Sequence, residues 1–422
     1  MKRRAFLRIV SGIFALISGI ISCGKKKHEQ IESVVKGMKN NEKKIILKGI
    51  TWDHTRGYLP MVATSQRFHE WHPGVEFEWE KRSLKDFGDA DIGHLARSYD
   101  LLVLDHPFAG YASKKGILIP IDEYLPEEYL QEQAENSVGK SYESYTFEGK
   151  QWALPIDAAA PVASYRPDLL LEKGESLPET WDDVLALARK GYVAFPCIST
   201  DTIMNFYMFC VSLNGGMFED EEHVVPEDIG IKALRKMREI AALMTPEVFD
   251  WNPIKIYEAM TLRDDIVYCP CAFGYNNYSR SGYARKKLSF TGLVNIDDSM
   301  PLRSTLGGTG LAVSVLCRHR DLAFEYVKYV ASPECQRKLY FNSGGQPGHR
   351  KAWLDNEVNN RTDDFFQNTL GTLDQAYLRP RYSGYIPFQE HAGIVIREYL
   401  IKGGSEKSVV SALNTQYRES LS

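Results

Sequence analysis

Residues 99–106 read Tyr99-Asp100-Leu101-Leu102-Val103-Leu104-Asp105-His106. A short, unbroken apolar run of this kind is the pattern of a strand covered on both faces, as in the centre of a parallel sheet. Its polar end matters equally, because ligands of open α/β sheets sit beyond the carboxyl ends of the strands. Ile45 to Trp52 repeats the arrangement, a buried strand running into Trp52-Asp53-His54-Thr55-Arg56-Gly57. Between the two, Met61 to His72 reads as a helix and Val75 to Trp79 as an alternating strand. Strand and helix alternate, which predicts an α/β layout with a mostly parallel sheet.

Further along, Trp152 to Pro155 is an extended segment with Asp157 just beyond it. Thr180-Trp181-Asp182-Asp183 opens a helix to Lys190, with Thr180 as N-cap and Asp183 at the capping-box position. A strand at Tyr192 to Pro196 follows, then a helix from Thr202 to Leu213 closed by Asn214-Gly215-Gly216. Ile229 to Met244 and Ile254 to Arg263 read as helices, Ile266 to Cys271 and Gly310 to Leu316 as strands. Asp321 to Tyr340 is a helix interrupted near Ser332-Pro333, before a glycine-rich loop at 343–348. The rhythm restarts after about residue 155, so a second lobe is expected.

The chain has 422 residues, enough for two or three domains at roughly 150 each. With 44% hydrophobic and 25% charged residues it has the composition of a globular protein, which excludes fibrous and wholly disordered classes. Its 51 Lys and Arg against 55 Asp and Glu leave no basic field for phosphates, so nucleic acid is not an expected partner.

The N-terminus has the layout of an export signal. Lys2, Arg3, Arg4 and Arg8 precede an uncharged run from Ile9 to Ser22, which stops at Cys23. That run is shorter than the roughly 20 residues a helix needs to span a bilayer. Ile20-Ile21-Ser22-Cys23 resembles the bacterial lipobox, so residues 1–22 are expected to be removed and Cys23 acylated. Arg3-Arg4-Ala5-Phe6-Leu7-Arg8 also resembles the twin-arginine motif, and the general export route stays open beside it. Residues 24–44, rich in Lys, Glu and Gln, read as a solvated tether.

Six further cysteines, Cys197, Cys210, Cys269, Cys271, Cys317 and Cys335, have neither zinc-ribbon nor C-x-x-C spacing and read as buried thiols. Catalytic signatures are missing: no G-x-S-x-G, no G-x-x-x-x-G-K-[ST] and no H-E-x-x-H. Leu306 to Gly310 is glycine-rich but lacks the lysine and helix of a phosphate cradle. His69 with His72, and His54 with His106, have no third ligand at fixed spacing. No cofactor or metal is expected. What stands out is the clustering of polar and aromatic residues at strand ends: Trp52, Asp53, His54 and Arg56; Asp105 and His106; Asp157; and Tyr275 and Asn276, which follow the strand ending at Cys271. Carboxylates and amides match paired hydroxyls, Arg spans two oxygens, and flat rings cover the C–H faces of a pyranose, so this set suits a neutral polyol.

Several segments together resemble family 1 extracellular solute-binding proteins, the maltose-binding-protein-like receptors of sugar ABC importers. They are the lipobox, Ile50-Thr51-Trp52-Asp53-His54, Tyr99 to His106 with Gly110 and Gly116, and Pro178-Glu179-Thr180-Trp181-Asp182-Asp183. Gly307-Gly308-Thr309-Gly310-Leu311-Ala312-Val313-Ser314, Ala323-Phe324-Glu325-Tyr326-Val327 and Ser332-Pro333-Glu334 extend the similarity, which spans about residues 45–420. It implies a type II periplasmic-binding-protein fold, two α/β lobes closing on a ligand by hinge motion. Lobe 1 is then expected from residues 45–155 plus about 305–350, and lobe 2 from 156–304 plus 351–422. The strand-end residues above are the expected ligand contacts, joined by Gly308 and, from a C-terminal loop, by Arg381 and Tyr382. The resemblance further implies a monomeric, non-catalytic lipoprotein outside the cytoplasm, touching the membrane through lipid only, with a carbohydrate ligand and ABC permease subunits as partners. Two alternatives stay open: a secreted glycoside hydrolase using Asp53 and Asp105, which needs a fixed gap between two carboxyl groups, and a ligand-binding partner of a membrane sensor.

Overall fold

Leu101–Leu104 lies inside a five-stranded sheet and is buried along its whole length. A computed structural model describes residues 44–89, 91–297 and 300–421, so Cys23, the export signal and most of the tether lie outside the described residues. Among the described residues there are ten strands: β1 (Ile45–Trp52), β2 (Val75–Arg82), β3 (Leu101–Leu104), β4 (Thr146–Phe147), β5 (Lys150–Gln151), β6 (Leu154–Ala159), β7 (Pro161–Tyr165), β8 (Tyr268–Phe273), β9 (Ser289–Thr291) and β10 (Gly307–Val313). The large sheet has the order β2-β1-β3-β10-β6.

Strand β1 runs parallel to β2 and β3, whereas β10 runs antiparallel to both β3 and β6. Gly310 pairs with Leu104 and Gly307 with Ala159. The carboxyl ends of β1, β3 and β6 therefore share one edge with the amino end of β10. One face of this sheet buries Leu47, Leu101, Val103, Ile156 and Leu311 against Phe324 and Val327 of the helix Arg320–Ala331. Each such side chain removed from water contributes about 1.5–3 kcal/mol.

The chain leaves this sheet at Ala159 and enters the second sheet two residues later at Pro161, so the crossover centres on Ala160. The second sheet has the order β8-β7-β9, all antiparallel. Thr305 bridges Tyr377 close to where the chain returns into β10. Helices Ser199–Ser212, Glu227–Ala241, Tyr385–Lys402 and Glu406–Ser420 pack on one another beside the second sheet.

The helix Trp181–Arg189 carries the expected capping box: Asp183 N donates to Thr180 Oγ1 at 3.2 Å, and Thr180 N donates back to Asp183 Oδ2 at 2.9 Å. Several expectations shift, and the large sheet is mixed rather than mostly parallel because β10 enters it antiparallel to β3 and β6. The first helix spans Thr55–Trp71, starting at its His54 N-cap, because Gly57 and Pro60 weaken the helical signal without preventing the turn. Tyr192 to Pro196 is no strand: only Val193 bridges to Tyr268, since Gly191 enters with φ 78° and Pro196 lacks an N–H. The returning strand begins at Gly307, three residues before the expected Gly310. The helix Arg320–Ala331 does break at Ser332, whose side chain caps Pro333–Cys335 before a π-helical turn at Gln336–Tyr340. Among the described residues, no helix is long and apolar enough to cross a membrane.

Candidate functional site

A cavity of about 190 Å³ opens at the shared strand edge. Trp52, Phe87, Asp105 and Thr309 line it from the first sheet and its connections, and Asp201, Met204, Asn252 and Tyr275 line it from the second lobe. Five of the twelve sequence-nominated contacts are lining residues: Trp52, Arg56, Asp105, Tyr275 and Gly308.

Gly308 has φ +107°, and a Cβ there would sit 2.4 Å from the Asp157 carbonyl oxygen. Only glycine fits, which lets the backbone of β10 bulge past β6 at Thr309/Gly310. Trp52 ends β1 with its ring 5.3 Å from that of Phe87. Gly57 lies directly beneath the indole.

Arg56 comes from the first helix. Its Nε donates to Asp157 Oδ2 at 2.8 Å, its Nη2 donates to Asp157 Oδ1, and its Nη1 donates to the Gly274 carbonyl at 2.8 Å. Burial alone would lower its pKa, but the charge and hydrogen bonds of Asp157 push it further up. The guanidinium stays charged and stands 4.6 Å from the centre of the Tyr275 ring. Asp157 is thus a buried counter-charge behind the cavity wall. His54 lies alongside, its Nδ1 accepting from Arg56 N at 3.0 Å and its ring edge-on to Tyr275 at 4.8 Å. Burial, aided by Arg56, lowers its pKa to about 4, so it is neutral near pH 7.

Asp105 is clasped by Arg379, whose Nη2 donates to both carboxylate oxygens at 2.9 and 2.7 Å. Burial opposes ionisation there, but Arg379 and His106 outweigh it and hold the carboxyl well below its usual range. His106 is buried with Nδ1 3.1 Å from Asp105 Oδ1, and burial lowers its pKa to about 4. Neutral His106 therefore acts as a buttress of Asp105.

The other nominated residues lie elsewhere. Asp53 points outward and pairs with Lys81 at 2.7 Å. Asn276 is fully buried and ties its loop to Gly345 and Gln346. Arg381 donates to the carbonyls of Glu143 and Thr146, both at 2.7 Å. Tyr382 borders a separate cavity with Phe108 and Tyr111, its hydroxyl 2.7 Å from Ser420 Oγ. The histidine pairs serve structure: His69 Nδ1 lies 2.7 Å from the Val75 carbonyl and His72 faces Glu325. Among the described residues, no group of three His, Cys, Asp or Glu side chains is placed to hold a metal. All six cysteines described are buried free thiols.

Sequence reasoning missed Asp201, Thr309, Phe87, Phe273 and Arg379. Arg379 stands two residues before the nominated Arg381, and nothing local separates their roles. Asp201 had a faint signal, as the sole acid heading the otherwise uncharged stretch 202–213. It is 6% exposed, and its Oδ2 has no hydrogen-bond partner; nor does Thr309 Oγ1.

Two lobes joined by crossovers, with a lined cavity where their strand ends meet, define a hinged ligand-binding protein. The family model for bacterial extracellular solute-binding proteins matches residues 51–337, and the chain belongs to that family. Curated relatives include a mannitol-binding protein of Pseudomonas aeruginosa, 31% identical over 31% of this chain and 30% of its own length. Another is an arabinooligosaccharide-binding protein of Halalkalibacterium halodurans, 25% identical over 58% of each chain. The chain thus spans less than two thirds of the length of the curated relatives it matches. Among solved structures, maltose-bound T. maritima MalE3 aligns with a TM-score of 0.77 at 17% identity, covering 89% of this chain and 99% of that one. A Thermotoga lettingae ABC transporter solute-binding protein bound with α-D-tagatose aligns at 0.76 and 17% identity, covering 90% and 100%.

Proposed function

We propose that the chain is the extracytoplasmic receptor of an ABC importer, which captures a carbohydrate or polyol by lobe closure and delivers it to a membrane permease. The carrying observation is the makeup of the cavity, where the rings of Trp52, Phe87, Phe273 and Tyr275 stand beside the unpartnered hydrogen-bonding atoms of Asp201 and Thr309. Rings cover C–H faces, and the free polar atoms await hydroxyls. Relatives named for mannitol and arabinooligosaccharides support this ligand class. At about 190 Å³ the cavity is smaller than the roughly 300–1,000 Å³ of sites for drug-sized molecules, which favours one sugar ring or a short polyol.

Ligand stabilises the closed form because it touches both lobes together only there. The protein works as a monomer without catalysis: Asp105 is locked by Arg379 and Asp53 is turned to solvent, so the two carboxyls do not face one bond. Cys23 carries the lipid that holds the receptor at the membrane. Calorimetric titration against a panel of sugars and polyols tests the reading, with a Kd at or below the micromolar range expected, about 8 kcal/mol or more. Binding of an amino acid or organic anion with no response to any sugar would overturn it.

A further inference from the structure

We propose that the cleft selects an aminated sugar or polyol, with a protonated amine of the ligand received by the Asp201 carboxylate. This deepens the carbohydrate reading and rests on it. Four charged side chains line the cavity: Arg56, Asp105, Asp201 and Arg379. Three are already matched within the protein. Arg379 is spent on Asp105, the Leu306 carbonyl and Gln389 Oε1, and Arg56 on Asp157 and the Gly274 carbonyl. Those two pairs cancel, leaving Asp201 as the one acidic or basic side chain without a counter-ion among the described lining residues.

Asp201 lies in the first turn of Ser199–Ser212, with Ile198, Met204, Pro253 and Phe273 among its co-lining residues. The titratable groups that sense it, Cys197, Cys269, Cys271 and Tyr275, are buried and themselves held in their neutral forms. Asn252 Oδ1 accepts from Lys255 N at 3.0 Å. Burial accordingly pushes the Asp201 carboxyl up to about 8, despite a helix amino end that favours a negative charge. Unliganded, the carboxyl is therefore mostly protonated at pH 6.5, and a ligand hydroxyl would give it a hydrogen bond without drawing out its charged form. An ammonium supplies both a donor and the opposite charge, so it draws the carboxyl into its ionised form, the proton leaving to solvent, and offsets part of the cost of desolvation. Thr309 Oγ1, free on the lobe 1 side, remains for a hydroxyl of the same ligand.

Matched pairs test this on the full chain: sorbitol against 1-amino-1-deoxysorbitol, and glucose against glucosamine, by calorimetry at pH 6.5. The aminated member of at least one pair is expected to bind tenfold or more tightly, and Asp201→Asn to reduce that ratio to threefold or less. Asp201→Ser provides a second variant should the amide misfold. Equal or tighter binding of the neutral member overturns the amine assignment while leaving the carbohydrate reading intact. A preference that survives both substitutions also overturns it. Failure of every sugar, neutral and aminated, overturns both readings.

Discussion

Arg56 and Asp157 form a two-pronged ion pair whose side chains are 4% and 0% exposed, and the same guanidinium reaches across to the Gly274 carbonyl of the second lobe. One buried cation thus joins strand β6, the first helix and the far side of the crossover, beside the ligand cavity. Arg56→Met leaves Asp157 as an uncompensated charge in the interior. Denaturant unfolding should show a loss of about 3–5 kcal/mol, and the double variant Arg56→Met/Asp157→Leu should recover part of it.

Gly308→Ala places a Cβ against the Asp157 carbonyl oxygen in a left-handed conformation. The expected cost is about 1–3 kcal/mol, read as a lower Tm. Because β10 must shift to relieve the contact, ligand affinity should fall as well, even though the glycine presents no side chain to the ligand.

Gly57→Ala tests the cavity floor from behind. Its new Cβ would stand 2.3 Å from the Trp52 ring, so the indole must tilt toward Phe87 and into the cavity. Calorimetry should show at least a tenfold weaker ligand, with helix content by circular dichroism unchanged.

Acid stability carries a signed contribution from two histidines. His54 and His106 both titrate near pH 4 when folded, below the ordinary value of 6.5. Between those pH values the unfolded chain binds protons that the folded chain refuses, so stability falls as pH drops from 6.5 to 4. His106→Gln should flatten this part of the stability profile.

Asp201 contributes the opposite sign. Its folded pKa near 8 exceeds the ordinary 3.8, so the folded chain keeps a proton that the unfolded chain has released. Stability is lost as pH rises from about 4 toward 8, by up to about 1.4 kcal/mol per pH unit. Asp201→Asn should remove that slope and be the more stable protein at pH 8, as urea titrations at pH 5 and 8 would show.

Whatever depends on neighbours along the chain is legible in the amino-acid sequence by itself. The apolar run Leu101–Leu104 forms a buried strand, and Thr180 and Asp183 close their capping box, because strand burial and helix capping are decided over a few residues. Trp52, Arg56 and Asp105 are within reach of such reasoning because the parallel strands β1 and β3 bring their carboxyl ends to one edge. The tertiary structure alone decides which charges are spent and which are free. Arg379 meets Asp105 across 274 positions and Arg56 meets Asp157 across 101, whereas Asp201 Oδ2 meets no partner. Pairing at such separations is fixed by how elements far apart in the chain pack together, and no periodicity or local spacing encodes it.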